Sequence, residues 1–135
     1  MKQEKDDSKD VHYKLPGGGQ NGGESFTDTL KRECMEELGV EIDVGEIRII
    51  REYIGKNHEF AHIHSNFHQV EYIFCCSLKT DIDMSKSIRD NPWQIGYEWI
   101  KLSELKNKNI YPKVLSSIFD DEGNITAPIY LGDIN

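Results

Sequence analysis

Apolar residues recur along this chain in two rhythms. Between Ser25 and Leu38 they return every fourth position, at Phe26, Leu30, Cys34 and Leu38. At about 100° per residue these four line up as one stripe, the pattern of an α-helix with one buried side. Ser25 followed by Asp28 has the form of a capping box, and Gly39 suits the left-handed residue past the C-terminus. Elsewhere the apolar residues are β-branched or aromatic and come in short runs, which predicts strands. VHYKL (11–15), EIRIIREYI (46–54), HQVEYIFCCSL (68–78) and YEWIKL (97–102) are such runs, and APIYLGDIN (127–135) adds a last extended piece. Pro16 and the glycines after it stop the first strand. NHEFAHIHSNF (57–67) reads as a loop or hairpin and KTDIDMSKSIRDNP (79–92) as a loop. SELKN (103–107) starts a short turn, and YPKVLSSIFDD (111–121) has helical spacing at Val114, Leu115 and Ile118. The polar residues 1–10 predict a mobile segment, with residues 11–135 as a single domain. Strands interleaved with two helices predict a mixed α/β fold.

The first helix carries a second pattern. Glu33, Glu36 and Glu37 stand at i, i+3 and i+4 and share the face next to the apolar stripe. Arg32 lies one turn before Glu36 and can pair with it. Three carboxylates on one face repel each other unless something positive sits among them. Hard divalent cations such as Mg2+ or Mn2+ prefer carboxylate oxygens and keep waters for a phosphate ligand. The glycines ahead of the helix let the backbone turn sharply and come close.

Charge narrows the partners. The net charge of −8 argues against a nucleic acid polymer, whose phosphates want a basic face, and against an anionic membrane surface. A small phosphorylated ligand is compatible if bound cations offset the acids. Hydrophobic residues make up 37% of the 135, enough for a folded core. No apolar run is long enough to span a bilayer, and MKQEKDDSKD lacks the apolar centre of a signal peptide. Cys34, Cys75 and Cys76 form neither a disulfide framework nor a thiolate zinc pattern, and they read as reduced thiols in a cytoplasmic protein.

The stretch from Gly18 to Val40 matches G-x5-E-x7-R-E-U-x-E-E-x-G-U, where U is a bulky apolar residue. The match runs through Gly18, Glu24, Arg32, Glu33, Cys34, Glu36, Glu37, Gly39 and Val40. Cys34 alone departs, being small for its position. This pattern resembles the signature of the Nudix hydrolases, and LPGGG before it and YEWIKLSEL after it also look like that family. A triphosphate-binding loop is rejected, since GGES lacks its lysine. The resemblance implies an α/β/α sandwich with a mixed β-sheet. It also implies hydrolysis of a diphosphate bond in a nucleoside diphosphate linked to another group. Carried over to this chain, Glu33, Glu36 and Glu37 look like ligands of Mg2+ or Mn2+, with the Gly18 carbonyl as a further ligand. Glu24 and Arg32 would pair and orient those carboxylates. The general base is either a box glutamate such as Glu33 or a distal acid, with Asp90 the candidate and Glu98 the reserve. By elimination the substrate is a nucleoside triphosphate or a similar small nucleotide. The alternative is a non-catalytic nucleotide-binding module of the same fold.

Outside the box, Glu71, His68 and Tyr97 are candidate substrate contacts. Glu71 either lines a cleft or takes the solvent face of an edge strand. The histidines His58, His62, His64 and His68 admit three readings: a zinc site, contacts to phosphate or base, and an ordinary surface loop. Phe67, Trp93 and Tyr97 could stack on a nucleobase or serve as core and rim, and Trp99 is placed in the core. The family has one or two strands ahead of the one leading into the box, whereas residues 1–16 here are mostly polar. KQEKDDSKD resembles the hairpin loop after a first strand, so the usual first strand is expected to be lacking. A sheet edge left open in this way predicts a homodimer that covers it.

Overall fold

The computed structural model describes residues 1–5, 10–88 and 91–135. The elements run β1 (Lys2–Lys5), β2 (Val11–Lys14), α1 (Phe26–Leu38), β3 (Ile42–Ile54), α2 (Ala61–His64), β4 (His68–Leu78), β5 (Gln94–Tyr97), β6 (Ile110–Tyr111) and β7 (Tyr130–Asp133). The chain divides into two compact units, Met1–Gly45 with Cys76–Trp99, and Glu46–Cys75 with Ile100–Asn135. The α/β class is the one the sequence predicts.

In the first unit β1 lies between β5 and β2 and pairs antiparallel with both. Lys2 stands opposite Lys14 on one side and Tyr97 on the other, and Gln3 opposite Tyr13 and Gly96. The expectation of a mobile opening segment, or of a hairpin loop there, therefore fails for residues 2–5, which form the middle of three strands. Residues 6–9 lie outside the described residues. Charged residues can occupy a middle strand here because their charges are paired. Lys2 and Glu4 point to the same face and are both buried, with ion-pair partners on β2 and α1.

Helix α1 begins and ends where its sequence says. The Ser25 side chain accepts from the Asp28 N–H, and the Asp28 side chain answers to the Ser25 N–H. Gly39 closes the helix at φ 59°, and a Cβ there would stand 1.9 Å from the Asp83 carbonyl oxygen, so the position needs glycine twice over. Cys34, Leu38, Val40 and Ile42 form the buried centre, with Leu30, Val44 and Ile82 packed against it. Phe26, the first residue of the apolar stripe, stays exposed. The strand expected at 97–102 lies at 94–97 instead. Its last ladder bond runs from the Glu98 N–H to the Met1 carbonyl, and the chain then turns into a 3-10 helix at Leu102–Asn107. Trp99, placed in the core by sequence, is 69% exposed.

The second unit is built on a sheet of order β4-β3-β7, with β7 parallel to β3 through Ile50 opposite Tyr130. β3 begins four residues before the run read from sequence, and β4 matches its prediction. Residues 57–67 hold the short helix α2, and Gly55–Asn57 makes a 3-10 turn before it. The helix expected over 111–121 shrinks to one 3-10 turn at Lys113–Ser116. Two serines explain this. Ser116 Oγ donates to the Lys113 carbonyl and Ser117 Oγ to that of Val114, local bonds that compete with a continuing helix. Val114, Leu115 and Ile118 are nonetheless buried, as their spacing implied. Among the described residues, no helix is long and apolar enough to cross a membrane.

Candidate active site

The box residues that the sequence singled out all lie in the first unit and come together around α1. Glu24 sits just ahead of the helix and reaches along it to Arg32. Arg32 Nε donates to Glu24 Oε1 at 2.6 Å and a terminal nitrogen to Oε2 at 3.0 Å, a two-pronged carboxylate–guanidinium pair. Glu24 also accepts from the Asn21 N–H at 3.0 Å and from Thr29 Oγ1 at 2.9 Å. The Arg32 bond, the Asn21 amide and the Thr29 hydroxyl hold its carboxyl down at about 2. Arg32 in turn is pushed above its usual value, chiefly by Glu24.

The same guanidinium faces the other acids. It donates to Glu33 at 2.9 Å and to Glu36 at 3.3 Å, and it ties the glycine loop to the helix through the Gly19 carbonyl at 3.0 Å. Glu33 is 2% exposed, and Gly18 packs directly on its carboxylate. A Cβ on Gly18 would stand 2.2 Å from Glu33 Oε1, so only glycine leaves room there. Glu36 is the more open of the box acids, half-buried at the edge of the helix.

Glu37 is 1% exposed, the deepest of the three. Its Oε1 takes a bond from Lys2 Nζ at 2.7 Å, and its Oε2 takes one from the Gly17 N–H at 2.9 Å. Lys2 leans from β1 towards a second buried acid, Glu4, at 3.7 Å. Lys14 Nζ reaches Glu4 at 2.9 Å and His12 Nε2 stands 3.5 Å away. Burial pushes the Glu4 carboxyl up, but the bond from Lys14 and the charges of Lys14, Lys2 and His12 outweigh it, and the net shift is downward. Sequence reading missed Lys2, Glu4 and Gly17. The only signal was the alternation of Lys2 and Glu4, which is equally the pattern of a solvated strand.

The remaining candidates fall elsewhere. Tyr97 lies opposite Lys2 in the β1–β5 ladder and so shares its face of the sheet, the face turned to Glu37. Glu98 accepts from the Tyr13 hydroxyl and from Gln3 Nε2. Gln3 and Tyr13 alternate with Lys2 and Lys14, so this cluster occupies the opposite face. Asp90 lies outside the described residues. Glu71 and His68 belong to the second unit, where Glu71 pairs with the buried Arg51 at 2.6 Å and His68 stands 3.9 Å from Glu52. His58 bonds Asp133, and His64 faces the Tyr53 hydroxyl. With the Glu52 contact of His68, three of the four histidines have partners other than each other.

The donor chemistry of Glu33, Glu36 and Glu37 suits a hard divalent cation: carboxylate oxygens, two of them deeply buried, beside a backbone that a glycine brings close. Among the described residues, no three His, Cys, Asp or Glu side chains converge as a metal would need. Lys2 and Arg32 stand at these carboxylates instead. Comparison with curated proteins returned no match. A family model described as NUDIX domain matches residues 1–118, nearly the whole chain and both flanks of the box. The chain belongs to the NUDIX domain family.

Proposed function

We propose that this protein hydrolyses a diphosphate bond in a small nucleotide, a nucleoside triphosphate or a close analogue, with Mg2+ or Mn2+. The observation that carries this reading is the connected set Glu24–Arg32–Glu33/Glu36, closed against the glycine loop by Gly18 and Gly19. A solvated helix has no use for a glycine packed on a buried carboxylate. Glu33, Glu36 and Glu37, with the Gly18 carbonyl, would hold the cation. When bound, the cation would neutralise charge on the phosphoryl oxygens and make an attacking water more acidic.

The chain's own residues do the positioning. Glu24 fixes Arg32, and Arg32 sets the orientation of Glu33 and Glu36. The Gly17 amide holds one oxygen of Glu37 and thereby its rotamer. Tyr97, exposed and on the same face, would meet the nucleoside or its sugar, which its place opposite Lys2 supports.

The test is product analysis by chromatography over a panel of nucleotides. It would hold canonical and oxidised nucleoside triphosphates, ADP-ribose, NADH and dinucleoside polyphosphates, each with and without Mg2+. Cleavage of one class that depends on Mg2+ and is lost in Glu37→Gln is the expected result. Glu37→Gln cleaving as fast as wild type would refute the ligand role. No cleavage by folded protein, together with nucleotide binding, would favour the non-catalytic module. That second reading draws on the internal pairing of all three carboxylates.

A further inference from the structure

Lys2 is an unusual residue to find where it is. Lysine is almost never fully buried unless it is paired, and this one is 6% exposed. It is held between two buried acids, Glu37 at 2.7 Å and Glu4 at 3.7 Å. Glu4 does not depend on Lys2 for its charge balance, because Lys14 and His12 also face it. For Glu37 the ammonium on Oε1 is the cation of that contact, and the Gly17 amide supplies the other oxygen's bond.

We propose that Lys2 is a built-in counter-ion that competes with the divalent cation for Glu37 and so sets the metal affinity of the site. The inference rests on the reading of Glu37 as a metal ligand. A divalent ion bound to Glu37 comes within a few ångströms of the Lys2 ammonium, and in a buried site such repulsion is only weakly screened. The carboxylate therefore balances two like charges. Glu4, 3.7 Å from the same ammonium, attracts it too and so competes with Glu37 for it. The pair Glu4 and Lys2 acts as an adjustable counterweight, and Lys2 is a positioning residue that acts through Glu37.

This makes two substitutions move in opposite directions. Lys2→Met removes the competing charge while keeping an apolar stem of similar length, and it should tighten Mn2+ binding by about tenfold or more. Glu4→Gln frees Lys2 to stay on Glu37 and should weaken Mn2+ binding by about tenfold. Lys2→Arg keeps the charge and should bind Mn2+ as wild type does. The measurement is Mn2+ titration of the chelator-treated full chain, read by the loss of the free-ion electron paramagnetic signal, with a thermal melt at each Mn2+ level. The melts should show a larger Mn2+-dependent rise for Lys2→Met than for wild type. Glu37→Gln is the control for the underlying reading. If wild type and Glu37→Gln bind Mn2+ alike, Glu37 is no ligand and the inference falls with it. If wild type binds Mn2+ through Glu37 but Lys2→Met leaves affinity unchanged or weaker, the competition alone is refuted. Should Lys2→Met fail to fold, Glu4→Gln decides: unchanged or tighter Mn2+ binding there overturns the proposal.

Discussion

Gly18→Ala adds one methyl group at the place where loop and helix are closest. The new carbon would stand 2.2 Å from Glu33 Oε1, 2.5 Å from its Cδ and 2.9 Å from Oε2. Ordinary contact begins near 3.4 Å, so the carboxylate must retreat by about 1.2 Å or the loop must lift by as much. Glu33 is 2% exposed and tied to Arg32 at 2.9 Å, so its retreat also disturbs the guanidinium that aligns Glu36. Overpacking of this kind costs about 1–3 kcal/mol of stability. The effect on rate is larger, because a misplacement of about 1 Å in a catalytic group costs about 10²-fold. Gly22→Ala is the matched control. A Cβ there meets nothing within 4 Å, and its backbone is not left-handed. The assay is kcat/KM on the substrate found in the panel, with urea unfolding of each variant to show that it is folded. Gly18→Ala should lose about 10²-fold and Gly22→Ala should match wild type. A folded Gly18→Ala within about threefold of wild type would refute the claim that the glycine exists to seat Glu33.

Two further outcomes follow from the same unit. The Glu24 carboxyl is held at about 2 in the fold against an ordinary 4.5, so its ion pair stabilises the protein fully above pH 4.5 and loses its effect as the pH falls towards 2. Glu24→Gln should therefore be less stable than wild type at neutral pH, and the gap in urea midpoints should close between pH 4.5 and 2; a gap that stays constant over that range would exclude the pairing. Burial pushes the Cys34 thiol up to about 12, whereas Cys75 and Cys76 are exposed. Iodoacetamide at mildly alkaline pH should give two adducts on native protein and a third only in urea, read by mass spectrometry, and equal labelling of Cys34 would contradict its placement.

What the sequence made legible was local. The helix α1, its two caps and the carboxylates on its face are encoded within one stretch of chain, and spacing alone brings them into register. The Glu24–Arg32 pair spans eight residues and was foreseen from the family resemblance. The Lys2–Glu37 pair spans thirty-five and was not. Its lysine sits in a run of charged residues that reads as solvated, and only the pairing of β1 with its neighbours reveals that one face of that run is buried. Trp99 failed in the opposite way. An aromatic among strand formers reads as core, but the ladder ends at Glu98 and leaves the indole outside. At 111–121 the apolar spacing named the right buried residues but the wrong element, because the spacing of Val114, Leu115 and Ile118 says nothing about Ser116 and Ser117 bonding back to the chain.

The burial of two box acids has a consequence for how the site can be dissected. Glu37 is paired with the buried ammonium of Lys2, so removing it leaves a buried basic group short of a partner, and Glu33 is itself buried, so altering it disturbs its packing against Gly18 and its bond to Arg32. The loss appears as reduced stability as well as reduced chemistry, and a dead variant at either position does not separate the two. Glu36 differs in the respect that matters. Its side chain keeps about a quarter of its surface in solvent, and its contacts to Arg32 are the longest in the set, at 3.3 and 3.5 Å. Arg32 keeps its short bonds to Glu24 and Glu33 when Glu36 is neutralised. A partly exposed pair of that length contributes little to stability. Glu36 is thus the one box carboxylate whose charge can be removed at little structural cost, and an effect of Glu36→Gln on turnover or on Mn2+ binding is an effect on the site itself.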